Sequence, residues 1–262
     1  MDYQTLLYEV RDGVAWITLN RPEAANTVTV EMCSELMRAA LRAGEDRAVR
    51  VVVLTGAGKT FSAGGDLKAF AAAGDAMASH IKEVTTYLHA AISQLARMDA
   101  PVIAAVNGVA AGAGMSLACA ADLVIAAESA RFTMAYTRAG LTPDGSGTFF
   151  LPRIVGLHRA LDLVLTNRML NAREAQEWGI VARVVADDAF AEQVRALAGQ
   201  LAAGPSHAFA AAKRLVRTSF GESLETQMAH ESDAIADAMR SADGREGIAA
   251  FLQKRPPSFS GA

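Results

Sequence analysis

An apolar strand pattern that runs into a glycine-rich loop recurs along this chain. VRVVVLTG occupies residues 49–56, PVIAAVNG occupies 101–108, and DLVIAA at 122–127 is a third apolar run. Uninterrupted apolar runs that end near glycine are typical of strands buried on both faces of a sheet. Helical patterns separate these runs, so the sequence predicts a parallel α/β fold with its functional loops at the carboxyl ends of strands.

The flanking segments predict the rest of the domain. Strands are expected over 5–10 and 14–19, and a helix is expected near 76–98. Thr29 precedes apolar residues at helical spacing, which predicts an N-capped helix. From about residue 200 the pattern is helical, so we expect a core of residues 1–200 and a helical region of 201–262 that packs on another subunit.

Composition narrows the class of protein. A formal net charge of −3 argues against a nucleic-acid footprint. Asn107, Asp122 and several glycines interrupt the longest apolar region, so we expect no membrane span. The start MDYQTLLYEVRDG is acidic and does not resemble a signal peptide. Two isolated cysteines and five scattered histidines predict a cytoplasmic protein without a disulfide framework or a metal site.

Nucleotide-binding motifs are incomplete. Gly58-Lys59-Thr60 resembles the end of a phosphate loop, but Val53 stands where the first glycine belongs. Gly112-Ala113-Gly114 follows a strand, but Leu117 stands where a dinucleotide fingerprint has its third glycine. We therefore interpret Gly56 and Gly58 as parts of a turn that ends a strand.

Two other loops fit a different chemistry. FSAGGDLK at 61–68 and NGVAAGAGMSLA at 107–118 each lie where a strand gives way to a helix. Backbone N–H groups there lack helical partners and carry the positive end of the helix dipole. Small residues such as Gly65 and Ala113 leave such amides accessible to a carbonyl oxygen. The loops are therefore either tight turns or the two halves of an oxyanion hole.

The order of several segments resembles the crotonase family, the enoyl-CoA hydratase/isomerase superfamily. LNRPEAAN at 19–26 is similar to its N-terminal signature, and the two glycine-rich loops are similar to its oxyanion loops. GLTPDGSGTFFLPRIVG at 140–156, REAQEWGIVARVV at 173–185 and the tail REGIAAFLQKR follow in the family's order. The resemblance covers nearly the whole chain.

This resemblance implies a fold, a substrate class and an assembly. The fold would be a spiral of ββα repeats with a C-terminal helical trimerisation region. The substrate would be a coenzyme A thioester, with no prosthetic group, and the assembly a homotrimer or a dimer of trimers.

The resemblance also implies roles for individual residues. The amides of Gly65 and Ala113 would bind the thioester oxygen. The backbone of Ala63 and Leu67 would hold the adenine, and Lys68 would approach the phosphates. Asp66 would cap or brace this coenzyme-binding loop.

Departures from the family pattern concern the catalytic side chains. Hydratases of the family carry two glutamates, and this chain has Ser116 and Tyr136 at those positions. Neither serine nor tyrosine is a good base at neutral pH. We expect both to border the substrate pocket together with Met115 and Leu141, which makes efficient hydration doubtful.

Asp144 in LTPDGSG is the one carboxylate expected near the acyl group. Pro-Asp-Gly is also a turn sequence, which is the structural alternative. An aspartate here resembles dienoyl-CoA isomerases and the isomerases that act on ring-epoxidised phenylacetyl-CoA. We expect Asp144 to move a proton, with Phe149, Phe150 and Leu141 excluding water around it.

Three functions follow from these observations. The first is an acyl-CoA double-bond isomerase that uses Asp144. The second is a hydratase of low efficiency, and the third is a non-catalytic acyl-CoA-binding protein. The sequence leaves the acyl chain open, although residues 69–90 are expected to border its pocket.

Overall fold

Repeated ββα units build the core of this computed structural model, which describes residues 3–261. The ten strands are β1 Leu6–Arg11, β2 Val14–Leu19, β3 Val51–Gly56, β4 Thr60–Ser62, β5 Val102–Val106, β6 Val109–Ala111, β7 Leu123–Ala127, β8 Arg131–Thr133, β9 Leu170–Asn171 and β10 Arg183–Val185. The eleven α-helices of this described part are α1 Val30–Glu45, α2 Leu67–Ala72, α3 Met77–Arg97, α4 Ala113–Ala120, α5 Gly147–Val155, α6 Leu157–Thr166, α7 Ala172–Glu177, α8 Phe190–Ala202, α9 Ser206–Thr218, α10 Leu224–Arg240 and α11 Ala242–Leu252.

The larger sheet has six strands in the order β1-β2-β3-β5-β7-β10. Only β1 and β2 are antiparallel, and the other neighbours are parallel. The predicted strands and the predicted parallel α/β class are therefore confirmed. The predicted helix cap is confirmed as well, because the Thr29 hydroxyl accepts a hydrogen bond from the Met32 amide.

The second sheet, which the ββα repeats of the family imply, has no signal in the periodicity of the sequence. It has four strands in the order β4-β6-β8-β9, and the three parallel strands of this sheet each follow a strand of the larger sheet. These strands are only three residues long, which is too short for a periodic pattern. They turn the chain into a spiral in which each repeat contributes one strand to each sheet.

The larger sheet is buried on both faces because its residues alternate between two cores. Val52 and Leu54 pack into the main core with α1 and α3. Val51 and Val53 face the other way and pack with α8. A strand with two buried faces has no polar side, which explains the unbroken apolar run in the sequence.

The C-terminal helices are attached to the core mainly through α9. Asp122 at the start of β7 accepts hydrogen bonds from the Val102 amide at 2.8 Å and from Arg217 at 2.7 Å. It also pairs with Lys213 at 2.7 Å, whose side chain is only 9% exposed. Burial lowers the pKa of Lys213, and the negative charge of Asp122 opposes that shift.

Beyond α9 the chain makes few contacts with the core. No residue of α10 is buried, and its apolar side chains Leu224, Met228, Ile235 and Met239 are exposed. The helical character predicted for this region is confirmed, and the domain boundary at residue 200 stays a prediction. Among residues 3–261, no helix is both long and apolar enough to cross a membrane.

The Asp122 contacts predict a large loss of stability on substitution. Asp122→Ala leaves Lys213 buried without a counter-charge, and we expect the free energy of unfolding to fall by about 3–5 kcal/mol. Asp99→Ala is the matched control, because its pair with Arg214 also joins α9 to the core but is exposed. We expect that control to cost at most about 1 kcal/mol in urea unfolding. Equal losses in the two variants would contradict this account.

Candidate functional site

The two glycine-rich loops meet because β4 and β6 are parallel neighbours. Thr60 pairs with Val109 and Ser62 with Ala110, so both strands end at the same edge of the smaller sheet. The loops that follow border a cavity of about 390 Å³. Its lining residues are Val28, Ala63, Gly64, Gly65, Leu67, Phe70, Ile81, Val84, Thr85, Leu88, Gly112, Ala113, Ala135, Tyr136, Ala139, Leu141, Thr142 and Asp144.

The amides of Gly65 and Ala113 are available to a ligand in this cavity. The Val28 amide donates to the Gly64 carbonyl at 2.8 Å, and the Asp66 amide donates to the Val28 carbonyl at 3.2 Å. This bridge leaves the Gly65 amide without a partner within residues 3–261, and the same holds for Ala113 at the first position of α4. The cavity wall therefore carries two unsatisfied donors, as an oxyanion hole requires.

Glycine is required where the two loops approach each other. Gly64 has φ +94°, and a Cβ atom there would lie 2.8 Å from the Ala111 carbonyl oxygen and 3.4 Å from the Ala113 nitrogen. Gly112, which precedes the second donor, has φ +51° and ψ −122°. L-residues with side chains rarely adopt this backbone conformation.

The LNRPEAAN segment braces the first loop from behind. Asn26 is fully buried, and its amide nitrogen donates to the carbonyls of Ala57 at 2.9 Å and Thr60 at 2.7 Å. Its own carbonyl accepts a hydrogen bond from the Ser62 hydroxyl at 2.8 Å. These bonds tie the N-terminal signature to both ends of β4.

Asp66 braces the same loop through its carboxylate. It accepts a hydrogen bond from the Ala69 amide at 3.1 Å, which caps α2, and it pairs with Arg21 at 3.3 Å. Burial opposes ionisation of Asp66, but the Ala69 amide, Arg21 and Thr27 together outweigh it and lower the pKa of this carboxyl. Asp66 is therefore part of the loop's support, and it does not line the cavity.

The residues expected to hold coenzyme A lie on the exposed side of the first loop. Ala63 and Leu67 are exposed and line the cavity. The amide of Ala63 is already bonded to the Ala25 carbonyl at 3.0 Å, so its own carbonyl is the group left for a ligand. Lys68 is exposed and follows them on α2.

Asp144 lies on the wall of this cavity, in a turn that leads into α5. Its carbonyl accepts a hydrogen bond from the Gly147 amide at 3.0 Å, and the next amide, of Gly145, donates to Nε2 of His89 at 3.2 Å. The turn expected from Pro-Asp-Gly is therefore present, and its aspartate still faces the cavity. No ion pair to Asp144 occurs within residues 3–261.

Tyr136 reaches the same carboxylate. Its hydroxyl donates to Oδ1 of Asp144 at 2.6 Å and lies 3.2 Å from the hydroxyl of Ser116. Burial raises the pKa of the Tyr136 phenol, and the charge of Asp144 raises it further. The two positions that hold glutamates in family hydratases therefore form a hydrogen-bonded chain that ends on Asp144.

Four expectations about the pocket need correction. Met115 and Ser116 are fully buried on α4 and do not line the cavity, although Ala113 at the first position of this helix does. Phe149 and Phe150 line a separate cavity of about 720 Å³ beside α9, because α5 turns their side chains away from Asp144. The expected Tyr136 and Leu141 do line the site.

Residues 69–90 contribute the apolar wall opposite the loops. Five residues of this segment line the cavity: Phe70, Ile81, Val84, Thr85 and Leu88. Their spacing places them on one face of α2 and α3, so this segment borders the cavity, and its contact with an acyl chain stays a prediction.

Sequence reasoning missed the supporting residues. The roles of Asn26, Arg21 and His89 depend on contacts with residues far along the chain, which no local pattern shows. For Asn26, the only signal in the sequence was its place in the segment LNRPEAAN, which resembles the family's N-terminal signature. The contact between Tyr136 and Asp144 follows from a turn of eight residues whose path the sequence does not define.

The chain belongs to the enoyl-CoA hydratase/isomerase family, whose model matches residues 9–262. The expected crotonase membership and ββα fold are therefore confirmed. Enzymes of this family act on coenzyme A thioesters, and this chain is an enzyme of that class.

Individual relatives carry different activities in their names. A protein of Rhodobacter capsulatus named "Probable enoyl-CoA hydratase" is 46% identical over the full length of both chains. The 1,2-epoxyphenylacetyl-CoA isomerase of Escherichia coli K12 is 41% identical over 98% of each chain. The crystal structure of an enoyl-CoA hydratase from Polaromonas sp. JS666 superimposes with a TM-score of 0.93 at 34% identity, covering 97% of this chain and 99% of that one.

The lowered pKa of Asp66 predicts a pH-dependent contribution to stability. A carboxyl with a depressed folded pKa stabilises the fold above its unfolded value of about 3.9, and the contribution disappears as the pH falls through the folded value. We expect Asp66→Asn to lower the free energy of unfolding at pH 6, with the difference from wild type shrinking below about pH 4. Urea unfolding across this range measures the effect.

Asp75→Asn is the control for this comparison. Asp75 is exposed in the same segment and makes no ion pair within residues 3–261. A difference between Asp66→Asn and wild type that stays constant from pH 6 to pH 3 would contradict the assigned role of the charge.

Proposed function

We propose that this protein is an acyl-CoA double-bond isomerase that stabilises a thioester enolate. The observation that supports the proposal is the presence of two free amides and one carboxylate on the wall of a single cavity. Gly65 and Ala113 are the proposed oxyanion donors, and Asp144 is the proposed base. Each donor aimed at the developing oxyanion contributes about 3–4 kcal/mol to lowering the barrier.

The proposed reaction moves one proton along the acyl chain. A carboxylate oxygen of Asp144 takes a proton from C2 of a 3-enoyl-CoA, and the electron pair moves into the carbonyl to form a dienolate. The oxyanion accepts hydrogen bonds from Gly65 and Ala113. The protonated Asp144 then returns the proton to C4, which leaves a 2-enoyl-CoA and the original carboxylate. No water is added, so no second catalytic carboxylate is needed.

The coenzyme moiety would follow the exposed side of the first loop. The carbonyl of Ala63 and the backbone of Leu67 are the proposed contacts for the adenine, and Lys68 is the proposed cation for the phosphates. Asp66 supports this arrangement by bracing the loop rather than by contacting the coenzyme. The acyl group would lie against Leu141 and the apolar wall of α2 and α3.

Hydration is the second candidate. Two observations favour it: the 46% identity to a protein named as a hydratase, and the hydroxyl of Tyr136 in the cavity wall. A water bound to the free oxygen of Asp144, beside Tyr136, would add to C3 of a 2-enoyl-CoA. This route requires Asp144 to activate water as well as to move a proton. The Ser116 hydroxyl would hold Tyr136 in place through their 3.2 Å contact.

Substitution of Asp144 tests the proposed base. We expect Asp144→Asn to reduce isomerisation of 3-enoyl-CoA by about 10²–10⁴-fold, because the amide cannot accept the proton. The assay follows 2-enoyl-CoA formation in deuterated water and records solvent label at C2 and C4. Asp162→Asn is the matched control and should retain full activity, because Asp162 is a half-exposed aspartate on α6 outside the cavity.

The same assay separates the alternatives. Net formation of 3-hydroxyacyl-CoA from 2-enoyl-CoA, with no isomerisation, would replace the first proposal by hydration. Binding of both thioesters without turnover or label exchange would leave the third hypothesis, a non-catalytic acyl-CoA-binding protein. Full isomerase activity in Asp144→Asn would remove the proposed role of this carboxylate.

We also propose that α10 forms the contact between copies in a homotrimer or a dimer of trimers. Its apolar residues Leu224, Met228, Ile235 and Met239 recur on one face and are 50–69% exposed. Burying each such side chain contributes about 1.5–3 kcal/mol, and the core of the same chain leaves them uncovered.

A charge on this face should dissociate the assembly. We expect wild-type protein to have the mass of three or six chains by light scattering, and Ile235→Glu to shift it toward one chain. His230→Glu adds the same charge on the opposite face of α10 and should leave the mass unchanged. A single-chain mass for wild type, or an unaffected Ile235→Glu, would contradict the proposal.

A further inference from the structure

We propose that Tyr136 is a positioning residue that holds Oδ1 of Asp144 and leaves Oδ2 as the only atom that carries the proton. The inference rests on the proposed function of Asp144 as a base. It assigns Tyr136 a role in isomerisation, in addition to its place in the cavity wall.

The hydrogen-bond directions follow from the chemistry of the three groups. An ionised carboxylate can only accept, so the Tyr136 hydroxyl must donate to Oδ1 across the 2.6 Å contact. The phenol has one proton, so the 3.2 Å contact with Ser116 is made by the serine proton toward the tyrosine oxygen. Ser116 is fully buried and has no access to the cavity.

The rest of Asp144 is held as well. Its backbone turn is closed by the Gly147 amide at 3.0 Å, and the adjacent Gly145 amide is bonded to His89 at 3.2 Å. Within residues 3–261, Oδ2 has no hydrogen-bond partner and no cation pairs with the carboxylate. The contact with Tyr136 is therefore what fixes the orientation of the side chain.

The titratable groups around the carboxylate keep Tyr136 in the donor role. They are the phenol itself, the buried thiol of Cys33 on α1 and the imidazole of His89 on α3. Burial, reinforced by the charge of Asp144, raises the pKa of Cys33 to about 12, so the thiol stays neutral. Tyr136 is likewise protonated throughout the working pH range, so it donates but does not act as a base.

Two consequences follow for the reaction. A hydrogen bond to Oδ1 fixes the rotamer of the carboxylate, so Oδ2 stays directed at the acyl chain through both proton transfers. A side chain with one free oxygen presents the same atom to C2 and C4, so both proton transfers occur on one face of the acyl chain.

Tyr136→Phe tests the inference because it removes only the hydroxyl. We expect kcat for isomerisation to fall about 10–100-fold and KM to change less than about threefold, because a misoriented carboxylate still lets the thioester bind. Tyr87→Phe is the matched control, since Tyr87 is a partly buried tyrosine whose hydroxyl makes no hydrogen bond within residues 3–261. It should leave both parameters unchanged.

A second variant keeps the test independent of folding. Incorporation of 3-fluorotyrosine at position 136 retains the ring and the hydroxyl but makes the phenol a stronger donor. We expect kcat in that protein to stay within about threefold of wild type, unlike in Tyr136→Phe, because the hydrogen bond to Oδ1 is kept. A 3-fluorotyrosine enzyme that loses as much kcat as Tyr136→Phe, or a Tyr136→Phe enzyme with wild-type kcat, would overturn the inference.

Asp144→Asn separates this inference from the proposed function. Loss of isomerisation in Asp144→Asn, with wild-type kinetics in Tyr136→Phe, would reject the positioning role and leave the base in place. Wild-type isomerisation in Asp144→Asn would reject the proposed function itself, and the role of Tyr136 with it.

Discussion

The site depends on the adjacency of two three-residue strands. Because β4 and β6 are parallel neighbours, the loops that follow them emerge at one edge and bring two free amides to one cavity. The approach is so close that a side chain on Gly64 would contact the backbone of the other loop. The glycines therefore allow the two amides to approach each other. The segment around Gly58, which resembles the end of a phosphate loop, is only the turn that leads into β4.

The remaining features of the core support this convergence. Asn26 and Asp66 hold the first loop from behind, and the second loop begins a helix that is buried on every side. The turn that carries Asp144 comes from a later repeat and is held by Tyr136 and His89. Support thus comes from four separate parts of the chain, as expected for a site that holds the proposed donors and the proposed base in a fixed relation.

Periodicity predicted the elements that are long and uniformly buried. Examples are the strands that begin at Val51 and Val102 and the helix that begins at Met77. These elements could be predicted because the spacing of their apolar side chains reflects which faces are buried. The smaller sheet was not foreseeable from periodicity, since three residues carry no period. Family resemblance supplied the proposed oxyanion residues and the bracing Asp66, whereas Asn26, Arg21 and His89 did not follow from any local pattern. Phe149 and Phe150 were misplaced because their distance from Asp144 along the chain is short but α5 turns them away.

A crystal structure of Asp144→Asn with bound 3-enoyl-CoA tests the central claim most directly. The account predicts that the thioester oxygen lies about 2.7–3.1 Å from the nitrogens of both Gly65 and Ala113. It also predicts that the side chain at position 144 faces C2 and C4 of the acyl group. A thioester oxygen bonded to neither amide, or an acyl group outside this cavity, would contradict it.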